Sequence, residues 1–366
     1  MNMMLSSLRS LLSSPRKRGS KPKYLFFALF LILSISSTLV QAEEPILNVY
    51  TWSGYLPESV IHQFQQETGI RVNHSTYASN EALYSKLKAN PDIGYDIIIP
   101  SADFVSRMIK QDLLQPLDKT KLHYLKNLNP TFLNKACDPG NLYSLPYLWN
   151  AYGIAVNQKY HNPKTITSWN DLWQSKYKEQ LLAIDDTRIF FSMGLVSLGY
   201  SENETNPKKL NEVFLKLKDL MNNIKVFNLD AQKSIYIDED ITLGMALNGD
   251  IYLAQIENPN LQFIFPKEGF VIALDSLAIP KGAKHSDNAH RFIDFVLQAE
   301  VSKQISLETG FSTPNRAAEL AMPDNIRNNP FLYPTKEIMK RGKFEIDVGE
   351  AARLYEHYFE RLKMEH

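Results

Sequence analysis

Cysteine is all but missing from this sequence: Cys137 is the single one in 366 residues. A disulfide within the chain is therefore excluded, and a metal site built on thiolates is too. A lone cysteine of this kind reads as a small buried hydrophobe, so the fold has to be held by its core. Catalytic signatures are missing as well. There is no G-x-x-x-x-G-K-[ST], no G-x-S-x-G, no H-E-x-x-H and no G-x-G-x-x-G after a strand. The eight histidines are scattered, and His285 with His290 falls in a loop and a helix start, where a solvated surface role is expected. Nothing assembles a nucleophile with its base. The expectation is a protein with no catalytic residue, no metal centre and no cofactor.

Acidic residues are absent from the first 42 positions, which hold Arg9, Arg16, Lys17, Arg18, Lys21 and Lys23. The apolar run "YLFFALFLILSISSTLV" follows, then "VQA", with small residues at Val40 and Ala42. This is the pattern of an export signal cleaved after Ala42. The run also approaches the lower limit for a membrane span, but the cleavage pattern favours removal. No cysteine stands near this point to carry a lipid. Without the signal, 34 basic side chains face 40 acidic ones, a net charge of −6. That excess disfavours nucleic acid and anionic lipid as partners and suits a cation.

From Glu43 onward no repeat, low-complexity stretch or linker interrupts the chain, which is long enough for two domains. "ILNVYT", "IRVNHSTY" and the nearly all-apolar "YDIIIP" read as strands. They alternate with helices "PESVIHQFQQET", opened by Pro57 and ended before Gly69, "SNEALYSKLKA", capped by Ser79, and "DFVSRMIKQD". Such a succession predicts a parallel sheet covered by helices, with ligands at the carboxyl ends of its strands. The second half again mixes strands and helices. Its strands are "YGIAVN", "QLLAID", "LQFIFPKEG" and "FVIALDSLAIP", and its helices are "SWNDLWQSKYK" and "NPKKLNEVFLKLKDLM". A strand-to-helix passage runs through "ITLGMALNGDIYLAQIE", and a long final helix covers "DVGEAARLYEHYFERLK". Two lobes with intertwined connections fit this order better than two beads on a string.

The stretch "VYTWSGYLP", residues 49–57, puts Trp52 and Tyr55 on the first turn, where loops face water. Aromatics there either cover the edge of a core or form one wall of a ligand site. Asp103, Asp186, Asp250 and Asp275 each follow an apolar run, and each alone reads equally well as a helix cap. Asp185 and Asp186 are adjacent, but neighbours at a strand end point different ways. If several of these acids converge with Trp52 and Tyr55, they describe a receptor for a cation. Carboxylates bind ammonium through charge-assisted hydrogen bonds, and aromatic faces attract the same charge and pack methylene spacers. That combination suits a linear amine.

"VYTWSGYLPESVIHQFQQETGIRVNHSTYASNEALYSKLK", "YDIIIPS", "LYSLPYLWN", "TSWNDLW", "PKEG", "DSLAIP" and "TGFSTPN" together resemble the spermidine/putrescine-binding periplasmic proteins of polyamine ABC transporters. The match runs from Leu47 to the C-terminus. The resemblance implies an α/β fold of the type II periplasmic binding-protein class: two α/β lobes, two hinge crossings and a ligand cleft between them. It implies lobe 1 over residues 43–152 with 277–315 and lobe 2 over 153–276 with 316–366, after the signal peptide 1–42. It also implies a periplasmic monomer that delivers its ligand to permease subunits in the inner membrane.

Carried over residue by residue, the resemblance places Trp52, Ser53 and Tyr55 in the first ligand loop and Ser101 in the "PS" loop. Asp186 and Asp275 match acids that hold amine groups, and Asp250 matches an acid of the putrescine-preferring branch. Departures stand beside these matches. Gly54 replaces an acid, Asp103 an aromatic or small residue, Ile189 a glutamate, Leu247 and Ala273 aromatics, Phe311 a tyrosine, and Glu345 a glutamine. The expected lining is therefore a wider aromatic cage with acids moved to Asp103 and Glu345. Four other readings stay open at this point: a polyamine sensor on the same fold, a binder of a different cationic solute because of these departures, an exported hydrolase, and a binder of iron or another metal using Tyr355 and Tyr358, although on the final helix these two read as packing residues.

Overall fold

The first sheet is built by the predicted succession, and the computed structural model describes it within residues 45–365. The expected signal peptide lies outside the described residues. β1 (Ile46–Trp52) pairs in parallel with β2 (Arg71–Tyr77) on one side and β3 (Ile97–Ile98) on the other. Helix Glu58–Thr68 joins the first two, and Pro57 is its cap rather than its first helical residue. The Gly69 amide closes it on the Gln65 carbonyl. Ser79 caps helix Asn80–Ala89 by accepting from the Ala82 amide. β3 is shorter than its apolar sequence predicts, for a local reason. The Ile99 carbonyl accepts from Trp52 Nε1 at 3.1 Å and from the Tyr77 hydroxyl at 2.6 Å, and Pro100 has no amide to offer the ladder.

β4 (Ser144–Asn157) is buried along its entire length. Its first half, to Ala151, pairs antiparallel with β9 (Phe270–Ala278), and its second half, from Tyr152, pairs with β7 (Leu243–Leu247). β5 (Leu181–Ala183), β6 (Ile224–Phe227) and β8 (Leu261–Ile264) complete the second half-sheet, and β10 (Gly342–Phe344) lies on β9. The strand order is β2-β1-β3-β9-β4-β7-β5-β6. Two α/β lobes result, and β4 runs through both, its first half pairing with β9 and its second with β7 and β8.

Each half-sheet has its own core. Leu47, Val49, Phe64, Ile97, Phe292 and Ile305 lie behind the first; Ile154, Phe190, Leu217, Leu243 and Tyr355 lie behind the second. Cys137 is 8% exposed, and burial pushes its thiol up to about 11, which leaves it inert. Gly153 belongs to the second sheet by necessity of space. A Cβ there would come within 2.4 Å of Phe263 Cζ and 2.6 Å of the Ile264 carbonyl. Gly153→Ala is expected to cost about 1–3 kcal/mol through overpacking, a melting temperature lower by about 5 °C. An unchanged melt would refute the tight packing of β4 on β8.

Two expectations fail here. Residues 168–178 form no α-helix but two 3-10 turns, Trp169–Trp173 and Ser175–Tyr177. The Trp169 indole donates to the Gly269 carbonyl and the Trp173 indole to the Lys216 carbonyl, and these separate anchors hold the segment in tight turns. His290 is not solvated: it is 3% exposed, donating to the Ser286 carbonyl and accepting from the Asp118 amide. His285 lies 2.9 Å from the buried Asp96. Both histidines tie loops together.

Candidate functional site

The first turn is rigid because its aromatics are bonded from several sides. Trp52 ends β1 with its indole held on Ile99 and its ring 4.8 Å from that of Tyr77. The Tyr147 hydroxyl donates to the Tyr55 carbonyl, and the Tyr55 ring packs edge-on against Phe311 at 5.1 Å. Tyr55 then donates its own hydroxyl to Asp275 Oδ2 at 3.0 Å. Ser101, at the end of the third strand-to-helix turn, donates to Asp275 Oδ1 at 2.7 Å and is itself steadied by Asn80. Each oxygen of Asp275 keeps a free lone pair after these bonds. The carboxylate is 3% exposed, and burial raises it to about 6 against the pull of the two hydroxyls.

Burial raises four further carboxylates in the same lining: Asp186, Asp250, Glu345 and Asp103. Asp186 caps helix Thr187–Ser197 through its Oδ1 on the Ile189 amide, and its Oδ2 has no partner among the described residues. Burial raises it to about 6. Its neighbour Asp185 is also in the lining, with its carboxylate paired to Lys363. Asp250 sits in the first turn of helix Asn248–Glu257, where burial raises it to about 7. Close packing holds this turn in place: a Cβ on Gly249 would fall 2.6 Å from Phe311 Cδ1 and 2.8 Å from Asn150 Oδ1. Glu345 follows β10, accepts from the Ser192 hydroxyl at 2.7 Å, and is raised to about 7 by burial. Asp103 opens helix Ala102–Lys110 and is also raised by burial, with Arg188 and Arg107 opposing.

All ten residues singled out in the sequence line one cavity of about 930 Å³: Trp52, Ser53, Tyr55, Ser101, Asp103, Asp186, Asp250, Asp275, Phe311 and Glu345. Ile189, Leu247 and Ala273 line it too, so the substituted positions contribute aliphatic surface rather than charge or rings. A volume of this size and a lining of polar groups on an apolar wall match a small-molecule cleft. Tyr355 is fully buried and donates to the Glu204 carbonyl at 2.6 Å; Tyr358 stacks on Phe214. Both are occupied in packing.

Several lining residues escaped sequence reasoning. Arg188 is the most consequential, a buried guanidinium among acids. It donates to the Ile346 carbonyl and Asn203 Oδ1 and lies over the Tyr355 ring at 5.1 Å. Burial works against its charge and is outweighed by Glu345, Asp103, Tyr355 and Asp186, which raise it. No ion pair closes between Arg188 and these acids among the described residues, so it offsets their charge without covering their oxygens. Its place two residues after Asp186, in the same helical turn, was the signal that could have found it. Tyr77, Asn150 and Tyr152 also line the cavity. The last two are two residues apart on β4 and so share a face. That signal was readable only once β4 was known to cross between lobes.

Comparison with known proteins agrees with this geometry. A family model described as bacterial extracellular solute-binding protein matches residues 59–333. The spermidine/putrescine-binding periplasmic protein of Salmonella typhimurium is 42% identical over 322 residues, 88% of this chain and 92% of the relative. That of Escherichia coli is 43% identical over 317 residues, 87% of this chain and 91% of the relative. A solved structure described as a putative spermidine/putrescine ABC transporter from Listeria monocytogenes superposes with a TM-score of 0.83 at 34% identity, covering 88% of this chain and 99% of the other. With a two-lobed fold, a cleft at the strand ends and relatives matched over nearly their whole length, this chain belongs to the spermidine/putrescine-binding proteins of the bacterial extracellular solute-binding family.

Proposed function

We propose that this protein is the periplasmic substrate-binding component of an ABC importer, capturing a polyamine and delivering it to permease subunits in the inner membrane. The observation that carries the reading is Asp275, a carboxylate held by Tyr55 and Ser101 in a cavity that Asp103, Asp186, Asp250 and Glu345, among other acids, also line. Desolvated carboxylates of this kind are costly alone and are satisfied by a bound ammonium. Trp52 and Tyr55 supply faces for the methylene chain, and Ser53 adds a polar contact at the rim. The two relatives just described carry spermidine and putrescine in their names, which supports the same ligand class here.

Capture follows from the two crossings. Ligand contacts come from both lobes, so the shut state gains contacts that the open state lacks, and ligand selects it. The division of the core supports lobe limits at residues 43–152 with 277–315 and 153–276 with 316–366. The protein acts as a monomer, leaves its signal behind after Ala42, and performs no chemistry on its ligand.

Calorimetric titration of the exported protein with putrescine, spermidine, spermine, cadaverine and agmatine tests the reading. Saturable binding to at least one of them is expected. Trp52→Ala should weaken it about tenfold, the loss of one ring face from a desolvated cation. Folded, ligand-free protein that binds none of the five would overturn the assignment.

A further inference from the structure

β4 carries two residues into the cavity at the point where it passes between the lobes. Asn150 stands in register with Ala273 of β9, and Tyr152 with Leu247 of β7. Ala273 and Leu247 bring no ring to the lining. Tyr152 brings one from the adjacent strand, and it is 9% exposed. Its hydroxyl has no hydrogen-bond partner among the described residues, and it is not sealed from solvent. A phenol hydroxyl on the cavity wall that is bonded to no other described residue is available to a ligand.

The position of this phenol sets it apart from the other aromatics of the site. Asp186, Asp275, Glu345 and Asp250 all act on it electrostatically and, together with burial, keep it neutral. These four belong to separate elements: Asp275 to β9, Asp186 and Asp250 to two helix starts, Glu345 to the segment after β10. All four line the same cavity as Tyr152, so a linear amine with its ends on two of them passes along a wall that includes this phenol. A neutral hydroxyl there accepts a hydrogen bond from an internal ammonium, and a plain methylene chain has nothing to give it.

We propose that Tyr152 is the specificity-determining residue of the cleft: its ring supplies the aromatic face missing at Leu247 and Ala273, and its hydroxyl accepts from the internal nitrogen of a triamine, favouring a triamine over a diamine of equal length. The inference rests on the amine-binding reading of the same cavity. Arg188 supports it by offsetting charge near Asp103 and Glu345, which leaves hydrogen bonding in the middle of the chain to discriminate between ligands of similar reach.

The test compares spermidine with 1,8-diaminooctane, a chain of the same length in which a methylene replaces the internal nitrogen. Both are titrated into the exported wild-type protein and into Tyr152→Phe and Tyr152→Leu. Wild type is expected to prefer spermidine. Tyr152→Phe should reduce that preference by about tenfold, the scale of one hydrogen bond to a charged group, while 1,8-diaminooctane changes less than twofold. Tyr152→Leu should weaken both ligands, because the ring goes as well. Should the Phe variant fail to fold, equal wild-type affinity for the two chains would overturn the proposal by itself, and a wild-type preference for the triamine would support it. A preference unchanged in Tyr152→Phe overturns the role of Tyr152 and leaves amine binding standing. Absence of binding to any amine in wild type overturns both.

Discussion

Asp275→Ala abolishes amine binding while the protein stays folded. The carboxylate is buried, both of its oxygens are already engaged by hydroxyls, and Tyr55 and Ser101 are positioned by it in turn. Truncating one partner of a buried, hydrogen-bonded charge pair costs about 2–5 kcal/mol, or roughly 30- to 5,000-fold in affinity. Asp275→Asn keeps the shape and removes the charge, and it should lose nearly as much, because an amide cannot accept from both hydroxyls and the ligand with both of its atoms. The empty protein is expected to melt no lower at pH 7.5 in the Asn variant, since a desolvated charge has been removed. Titration calorimetry and a thermal melt on the same samples check both halves. Binding within about fivefold of wild type would mean that the ammonium is held elsewhere.

Acidification should release the ligand. Burial raises Asp186 and Asp275 to about 6, and Asp250 and Glu345 to about 7. The empty folded protein therefore holds more protons than the unfolded chain between the ordinary carboxylate values near 4 and about 7. The stability contributed by these four groups is present at the acid end of that window and is lost as pH rises through it. Amines stay charged throughout and pair with the ionised form, so ligand pulls the carboxylates down and binding expels protons. Each carboxylate that must ionise contributes up to about tenfold in affinity per pH unit below its own value. Affinity should fall at least about tenfold from pH 7.5 to pH 5.5, and titrations in two buffers of different ionisation enthalpy should report proton release on binding. An affinity flat across that range would refute a cleft of carboxylates poised by burial.

Legibility varied with distance along the chain. Trp52, Tyr55 and Ser101 were readable because strand ends of a parallel sheet converge, and the alternation of β1, β2 and β3 with helices was plain. Asp186 illustrates a limit of local reasoning: as a helix cap and as a cavity acid it is the same residue, with one oxygen for each task. The turns at 168–178 and the buried His290 were misread because their anchors lie on distant backbones, at Gly269, Lys216 and Asp118.

By itself the sequence determined the class of protein, through the strand–helix alternation, the aromatics and acids at the strand ends, and the ordered motifs from Leu47 onward that resemble the spermidine/putrescine-binding proteins. Those features depend on hydrogen bonding and periodicity over a few residues, which the order of side chains dictates. Only the tertiary structure decided which acids share a cavity, because the bond between Tyr55 and Asp275 spans 220 positions and exists only when β9 returns beside the first sheet. The same closure put Arg188 and Tyr152 in the lining of the cavity that holds these carboxylates. Burial is the first cause of the upward shift of each of these carboxylates, and burial is a property of the packed chain.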